Sequence, residues 1–245
     1  MIVYNKEALS VVNHLAQITK KRDEKNAAIR FFKNEEGVHV RAGNEARSIV
    51  FTVDIPSDVM DFEGEELCFY DFPEFNKYLT TFDAPILEKT VINDGDNEAI
   101  VISQARRKIV YPLADAEVLG TPMKPIKWAE PATKFKLTSE NVTSIKNILS
   151  LLGAKETNLM FSFVGNEVTI TTASANKNRS VNTFEDVITL DNEIEEDFQM
   201  TIKSDVFKYL GGVDYDVEIN SLGIIRLNYE QSNVKASILV TGEDE

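Results

Sequence analysis

The chain has 245 residues, 43% of them hydrophobic, and a formal net charge of −14, enough apolar content for one large or two modest cores. Its apolar runs are short and broken by charge, and Met1-Ile2-Val3-Tyr4-Asn5-Lys6 lacks a secretory signal's basic start and apolar stretch, so a cytoplasmic protein without membrane partners is expected. The lone Cys68 excludes an internal disulfide and, within Leu67-Cys68-Phe69-Tyr70, reads as a small apolar strand residue rather than a thiolate nucleophile.

In chain order, a helix is expected from Asn5 to about Thr19, with Leu9, Val12, Leu15 or Ala16, and Ile18 or Thr19 inward. Ser10, Asn13, Gln17, Lys20 and Lys21 then look outward. Residues 27–33 and 37–41 pair as strands, turned at Asn34-Glu35-Glu36-Gly37, where glycine supplies a positive φ. Strands at 48–55 and 67–70 follow. Asp71-Phe72-Pro73-Glu74 marks a helix start, with Asp as N-cap, Pro in the first turn and Glu closing a capping box. That helix carries Phe75, Tyr78, Leu79 and Phe82 inward and Lys77 outward. Strands at 86–92, 99–104 and 108–111 come next. The Asp-rich turn at 93–97 between the first two is a hairpin rather than a calcium loop, because strands flank it.

Pro112, Pro122, Pro125 and Pro131, with Gly120, make residues 112–131 an extended connector. Trp128 reads as an aromatic anchor for it. Beyond it come a helix from Thr138 or Ser139 and strands near 159–164, 167–173, 179–190 and 197–202. A helix at 204–210, strands near 214–219, 223–230 and 233–241, and the acidic tail Glu243-Asp244-Glu245 complete the chain.

The order of elements repeats after about 130 residues. Leu9-Ser10-Val11-Val12-Asn13-His14-Leu15 precedes the strand pair at 29–41 as Val142-Thr143-Ser144-Ile145-Lys146-Asn147-Ile148 precedes residues 159–171. Glu74-Phe75-Asn76-Lys77-Tyr78-Leu79 answers Asp205-Val206-Phe207-Lys208-Tyr209-Leu210. Two tandem α+β domains are therefore expected, 1–112 and 133–245, joined by a connector at 113–132.

Charge is unevenly spread. The helical segments 6–21, 71–83, 138–155 and 203–212 carry +2, −2, +1 and +1, which leaves −16 on the rest of the chain. Their acids, Glu7, Asp71, Glu74, Glu140 and Asp205, fall in or beside first turns and their lysines come later. Helix-dipole complementation explains this as well as a basic helical surface on an acidic protein does. No Gly-rich phosphate cradle, Cys/His metal spacing or Gly-x-Ser-x-Gly elbow occurs, and His14 and His39 have no evident catalytic partner in sequence. A non-enzyme without cofactor or metal is expected. The rivals are an acidic adaptor or DNA mimic that binds a basic protein, and a hydrolase built from scattered carboxylates.

Ala105-Arg106-Arg107-Lys108-Ile109-Val110-Tyr111-Pro112-Leu113-Ala114-Asp115 and Lys124-Pro125-Ile126, set between two tandem copies, resemble the DNA sliding clamp (polymerase processivity factor) of the T-even phage type, which is similar to proliferating cell nuclear antigen. The resemblance implies two clamp-type domains per chain, each with two helices packed on antiparallel sheet, closing as a homotrimer around duplex DNA. It further implies loading by a clamp-loader ATPase and tethering of a replicative DNA polymerase in a phage-infected bacterium. By the same resemblance Lys77, Lys146 and Lys208 face DNA, followed by Lys20, Lys21, Lys155 and Lys203, while Ser10, Asn13 and Gln17 stand where related clamps often carry lysines. A partner peptide would enter a pocket drawn from Ile49, Leu113, Val118, Leu119, Pro122, Met123, Ile238 and Val240. Subunits would meet head to tail through Lys108, Ile109, Val110 and Tyr111 on one side and Arg179, Val181 and Phe184 on the other.

Overall fold

The computed structural model describes residues 1–19, 27–92, 97–119, 124, 128–152, 157–174, 184–190, 194, 196–220 and 222–242. They fall into two compact units, Met1–Pro125 with Glu230–Ala236, and Ile126–Tyr229 with Ser237–Glu245.

In the first unit, helix α1 (Lys6–Ala16) starts where the Asn5 side chain accepts from the amides of Glu7 and Ala8, at 2.8 and 3.2 Å. Those amides have no partner inside the helix, which is why a short polar cap is favoured there. Its last turn tightens to a 3-10 turn at Gln17–Thr19. Ala8, Leu9, Val11, Val12, Leu15 and Ala16 are all buried, a wider apolar stripe than the sequence pattern predicts. Strands β1 (Ile29–Asn34), β2 (Gly37–Gly43), β3 (Ile49–Pro56) and β4 (Glu66–Phe69) pair antiparallel in the order β4-β1-β2-β3. The β1–β2 turn needs its glycine: Gly37 has φ +140°, and a Cβ there would lie 2.3 Å from the Ile55 carbonyl oxygen.

Helix α2 (Phe72–Thr80) is capped by Asp71, which accepts from the Glu74 amide at 3.4 Å. The Glu74 carboxylate accepts instead from the Tyr78 hydroxyl at 2.9 Å. Lys6 ties the start of α1 to the chain leaving α2 by donating to the carbonyls of Phe82 and Asp83, at 2.5 and 2.6 Å. Strands β5 (Ile86–Ile92), β6 (Asn97–Gln104) and β7 (Arg107–Pro112) form a second antiparallel sheet, with β7 at its end. The core is aromatic: Phe31, Phe69, Phe72 and Phe75 have neighbouring ring centres 4.7–5.8 Å apart, and Tyr111 lies 5.4 Å from Phe75.

The second unit opens with a strand absent from the sequence reading, β8 (Pro131–Leu137). Thr133, Phe135 and Leu137 are buried and alternate with exposed Ala132, Lys134 and Lys136, a period-2 pattern that the leading proline conceals. Helix α3 (Ser139–Leu152) follows, then β9 (Thr157–Val164), β10 (Glu167–Ser174), β11 (Glu185–Thr189) and β12 (Phe198–Lys203), ordered β11-β10-β9-β12. The next helix, Ser204–Tyr209, is 3-10 rather than α and has no side-chain cap. With β13 (Tyr215–Asn220), β14 (Ile224–Gln231) and β15 (Val234–Thr241) the chain reaches its last described strand. β8 and β14 flank β13 antiparallel.

Each repeat thus runs helix, four strands, helix, three strands, with β8 preceding this order in the second. The counterpart of β8 in the first unit is reduced to a single bridge, Ile2 to Leu87 on β5, as β8 pairs with β13. The strands on both sides of the 93–97 turn are present as predicted; residues 93–96 themselves, and the 243–245 tail, lie outside the described residues.

Candidate functional site

Lys77 stands on the exposed face of α2, away from buried Phe75 and Leu79, and makes no ion pair among the described residues. Lys146 is half-buried on α3 and donates to the Leu210 carbonyl at 3.0 Å. Lys208 is exposed, but its ammonium is paired with Asp205 three residues earlier. The structure brings Lys146 and Lys208 to one cleft of about 230 Å³, together with Leu149, Ser150, Ser204 and Phe207. Lys203 is exposed at the end of β12. Lys20, Lys21 and Lys155 lie outside the described residues.

The faces of the two long helices are nearly neutral. On α1 Ser10 and His14 are exposed beyond Glu7, while Asn13 and Gln17 are half-buried. On α3 the exposed residues beyond Glu140 are Thr143, Ser144, Asn147, Ser150 and Leu151. Such surfaces offer hydroxyl and amide hydrogen bonds; among the described residues the exposed helical lysines, Lys77 and Lys208, stand on the shorter helices.

β7, which carries the first set of expected contact residues, ends the sheet β5-β6-β7; of the second stretch, Arg179 to Phe184, only Phe184 is described, next to β11, the end strand of β11-β10-β9-β12. Lys108 and Val110 are exposed on β7 and Ile109 is half-buried. Tyr111 is buried, donates to the Asp71 carbonyl at 2.9 Å, and has its pKa pushed up to about 12 by burial. Phe184, half-buried just before β11, exchanges hydrogen bonds with Thr172 at 2.9 and 3.2 Å. Arg179 and Val181 lie outside the described residues. Arg106, Arg107 and Lys108 make the β7 end basic, whereas β11 carries Glu185 and Asp186.

The expected pocket residues differ in exposure. Ile49 on β3 and Ile238 and Val240 on β15 are buried, as is Leu113. Leu119 is half-buried, Val118 is 70% exposed, and Pro122 and Met123 lie outside the described residues. The first residues after β7 are held firmly, Leu113 donating to the Glu98 carbonyl and Ala114 to the Cys68 carbonyl at 2.9 and 2.8 Å. The Arg30 guanidinium donates to the Ala116 carbonyl.

His39 does have a carboxylate beside it, contrary to the sequence reading. The β2–β3 register sets Asp54 opposite, and its carboxylate meets Nδ1. Arg41 meets Nε2 at 2.9 Å, so both ring nitrogens are met by charged side chains rather than by a hydroxyl or thiol nucleophile. Cys68 is buried, and burial foremost pushes its thiol pKa up, as suits an apolar strand residue. Among the described residues no three His, Cys, Asp or Glu side chains are grouped to hold a metal ion, and no helix is long and apolar enough to cross a membrane.

No protein-family model matches the chain, and neither does any curated protein. Its likeness to solved structures is extensive. Proliferating cell nuclear antigen (PCNA) from Thermococcus kodakaraensis superposes with a TM-score of 0.72 at 15% identity, over 99% of each chain. A chain of the PCNA2–PCNA3 complex from Sulfolobus tokodaii gives 0.70 at 15% identity, over 100% of this chain and 99% of that one. PCNA from A. fulgidus, solved with the C-terminal region of FEN-1 bound, gives 0.71 at 15% identity, over 100% and 98%. This chain has the PCNA clamp fold.

Within that clamp fold, two arginines went unrecognised by sequence reasoning. One is Arg30, which grips Ala116. The other is Arg226, whose guanidinium carbon lies 4.1 Å from the centre of the Trp128 ring. The Trp128 anchor was signalled by its place among prolines; its cationic partner on β14 had no local signal.

Proposed function

We propose that the chain is a sliding clamp of the T-even phage type, a non-enzymatic processivity factor that encircles duplex DNA as a homotrimer. What carries this reading is coverage: both repeated units answer to the clamp fold over 99–100% of the chain. The phage assignment rests on Ala105 to Asp115 and on Lys124-Pro125-Ile126, and its setting is the cytoplasm of the infected bacterium. A closed ring retains DNA by topology, so a few weak, sequence-independent phosphate contacts suffice, which fits Lys77, Lys146 and Lys208 on helices and Lys203 at the end of β12. Lys20, Lys21 and Lys155 belong to the same proposed set.

Subunits join head to tail between β7 and β11, both sheet ends, and the opposite charge of Arg106, Arg107 and Lys108 against Glu185 and Asp186 favours that pairing. A clamp loader opens the ring. The polymerase docks by a short peptide at the connector, where Val118 and Leu119 are the accessible members of the expected set among the described residues, while Ile49, Leu113, Ile238 and Val240 are buried as core. The test is solution mass together with DNA retention. A species about three times 27.6 kDa, held on nicked circular DNA after loading and lost when the circle is linearised, is expected. A compact monomer that loading never converts to a ring overturns the reading. Charge reversal of Lys77, Lys146 and Lys208 to Glu separates it from an acidic adaptor, which would keep working.

A further inference from the structure

We propose that Arg226 is a positioning residue for the connector, a latch on Trp128 that fixes where the partner-binding stretch ends; this rests on the clamp reading given above. Trp128 is the chain's only tryptophan and stands just before β8. The Arg226 guanidinium lies 4.1 Å from its ring centre, within cation–π range.

The guanidinium is not free to turn. Its Nε donates to Glu218 Oε2 at 2.8 Å and its Nη2 donates to the same oxygen. The other Glu218 oxygen pairs with Lys134 Nζ at 3.2 Å. Register explains the set, since Glu218 on β13 lies opposite Arg226 on β14 and Lys134 on β8. Two neighbouring strands therefore orient one carboxylate, the carboxylate orients the guanidinium, and the guanidinium covers the indole. Only arginine does this, because its planar group can stack and keep N–H donors aimed at Glu218.

The arrangement is a poor way to build a permanent core. The Glu218 side chain is 16% exposed, and the Trp128 Nε1–H is buried with no acceptor among the described residues. Apolar packing would hold a chain segment without desolvating charge or stranding a donor. Nearer the connector's start, Arg30 holds the Ala116 carbonyl.

Trp128 emission reads the latch in the full-length protein. Arg226→Ala should raise acrylamide quenching of Trp128 about twofold, with Arg226→Lys in between because it keeps charge without the planar stack. Glu218→Gln, which preserves volume, should shift quenching the same way. Unchanged quenching in both Arg226→Ala and Glu218→Gln overturns the latch. Primer extension on singly primed circular DNA with the cognate loader and polymerase then tests its purpose: processivity should fall in Arg226→Ala while trimer mass and circular-DNA retention stay at wild-type levels. Raised quenching with wild-type processivity overturns the positioning role. Failure of the unmodified protein to be retained on circular DNA would sink the clamp reading alone and leave the quenching result standing.

Discussion

Lys146 on α3 donates to the carbonyl oxygen of Leu210 at 3.0 Å, so a candidate DNA-facing cation also joins two helices of its unit. The three leading lysines are therefore unequal. Lys77 has no ion-pair partner among the described residues, whereas Lys208 is neutralised by Asp205. Of the three single changes to Glu, Lys77→Glu should weaken loaded-clamp retention most, measured as the half-life on nicked circular DNA.

Asp205→Asn should have the opposite effect. It frees the Lys208 ammonium for phosphate, and each added phosphate contact steepens the slope of log affinity against log salt by about 0.9. Retention measured from low to moderate salt should show a gain of that order. An unchanged slope would mean that Lys208 does not meet DNA.

The edge strands make a reciprocal prediction. Arg107→Glu with Lys108→Glu on β7 should leave monomers, and Glu185→Lys with Asp186→Lys on β11 should do the same, each placing like charges across the joint. Mixing the two variants should give alternating mixed assemblies with even numbers of subunits by light scattering, because a ring of three always leaves one like-charged joint. Asp186 also accepts from Asn141 at 3.0 Å, so Glu185 should be the more sensitive of the two.

Local chemistry was legible in the sequence where the signal is local. Asp71 capping α2, Gly37 turning the first hairpin and Pro112 closing β7 all depend on a few adjacent residues. Features set by strand register were not legible. His39 meets Asp54 only because β2 and β3 align them, and Arg226 reaches Glu218 only through β13–β14 pairing. The strand β8 escaped because Pro131 reads as connector although the alternation from Ala132 to Leu137 is regular. Nor does composition distinguish an α from a 3-10 helix at Ser204–Tyr209, where six residues ending before Gly211-Gly212 leave little length for α hydrogen bonding.

The aromatic core of the first unit should dominate its stability. Phe75 is 2% exposed and packs against Phe69, Phe72 and Tyr111 at ring separations of 4.7, 5.8 and 5.4 Å. Phe75→Ala removes those contacts and opens a cavity, for an expected loss of about 3–5 kcal/mol in urea unfolding. Exposed Tyr70→Ala should cost no more than about 0.5 kcal/mol.

Acid should open the Arg226 network before it unfolds the protein. Burial pushes the Glu218 carboxyl up, but hydrogen bonds from Arg226 and Lys134 outweigh it and hold the pKa below the usual carboxylate value. A carboxyl depressed in the folded state contributes stability above its unfolded pKa and loses it as pH falls through the folded one. The Trp128 contact should therefore be indifferent to pH between about 6 and 8 and weaken only below the ordinary carboxylate range. Acrylamide quenching followed from neutral to acid pH is the measurement. The acid transition should be present in the wild type and missing in Glu218→Gln, whose quenching should already be raised at neutral pH, because an amide has no proton to gain and does not hold the guanidinium as a carboxylate does. A wild-type transition centred near neutrality would instead assign control of the indole to a group other than Glu218.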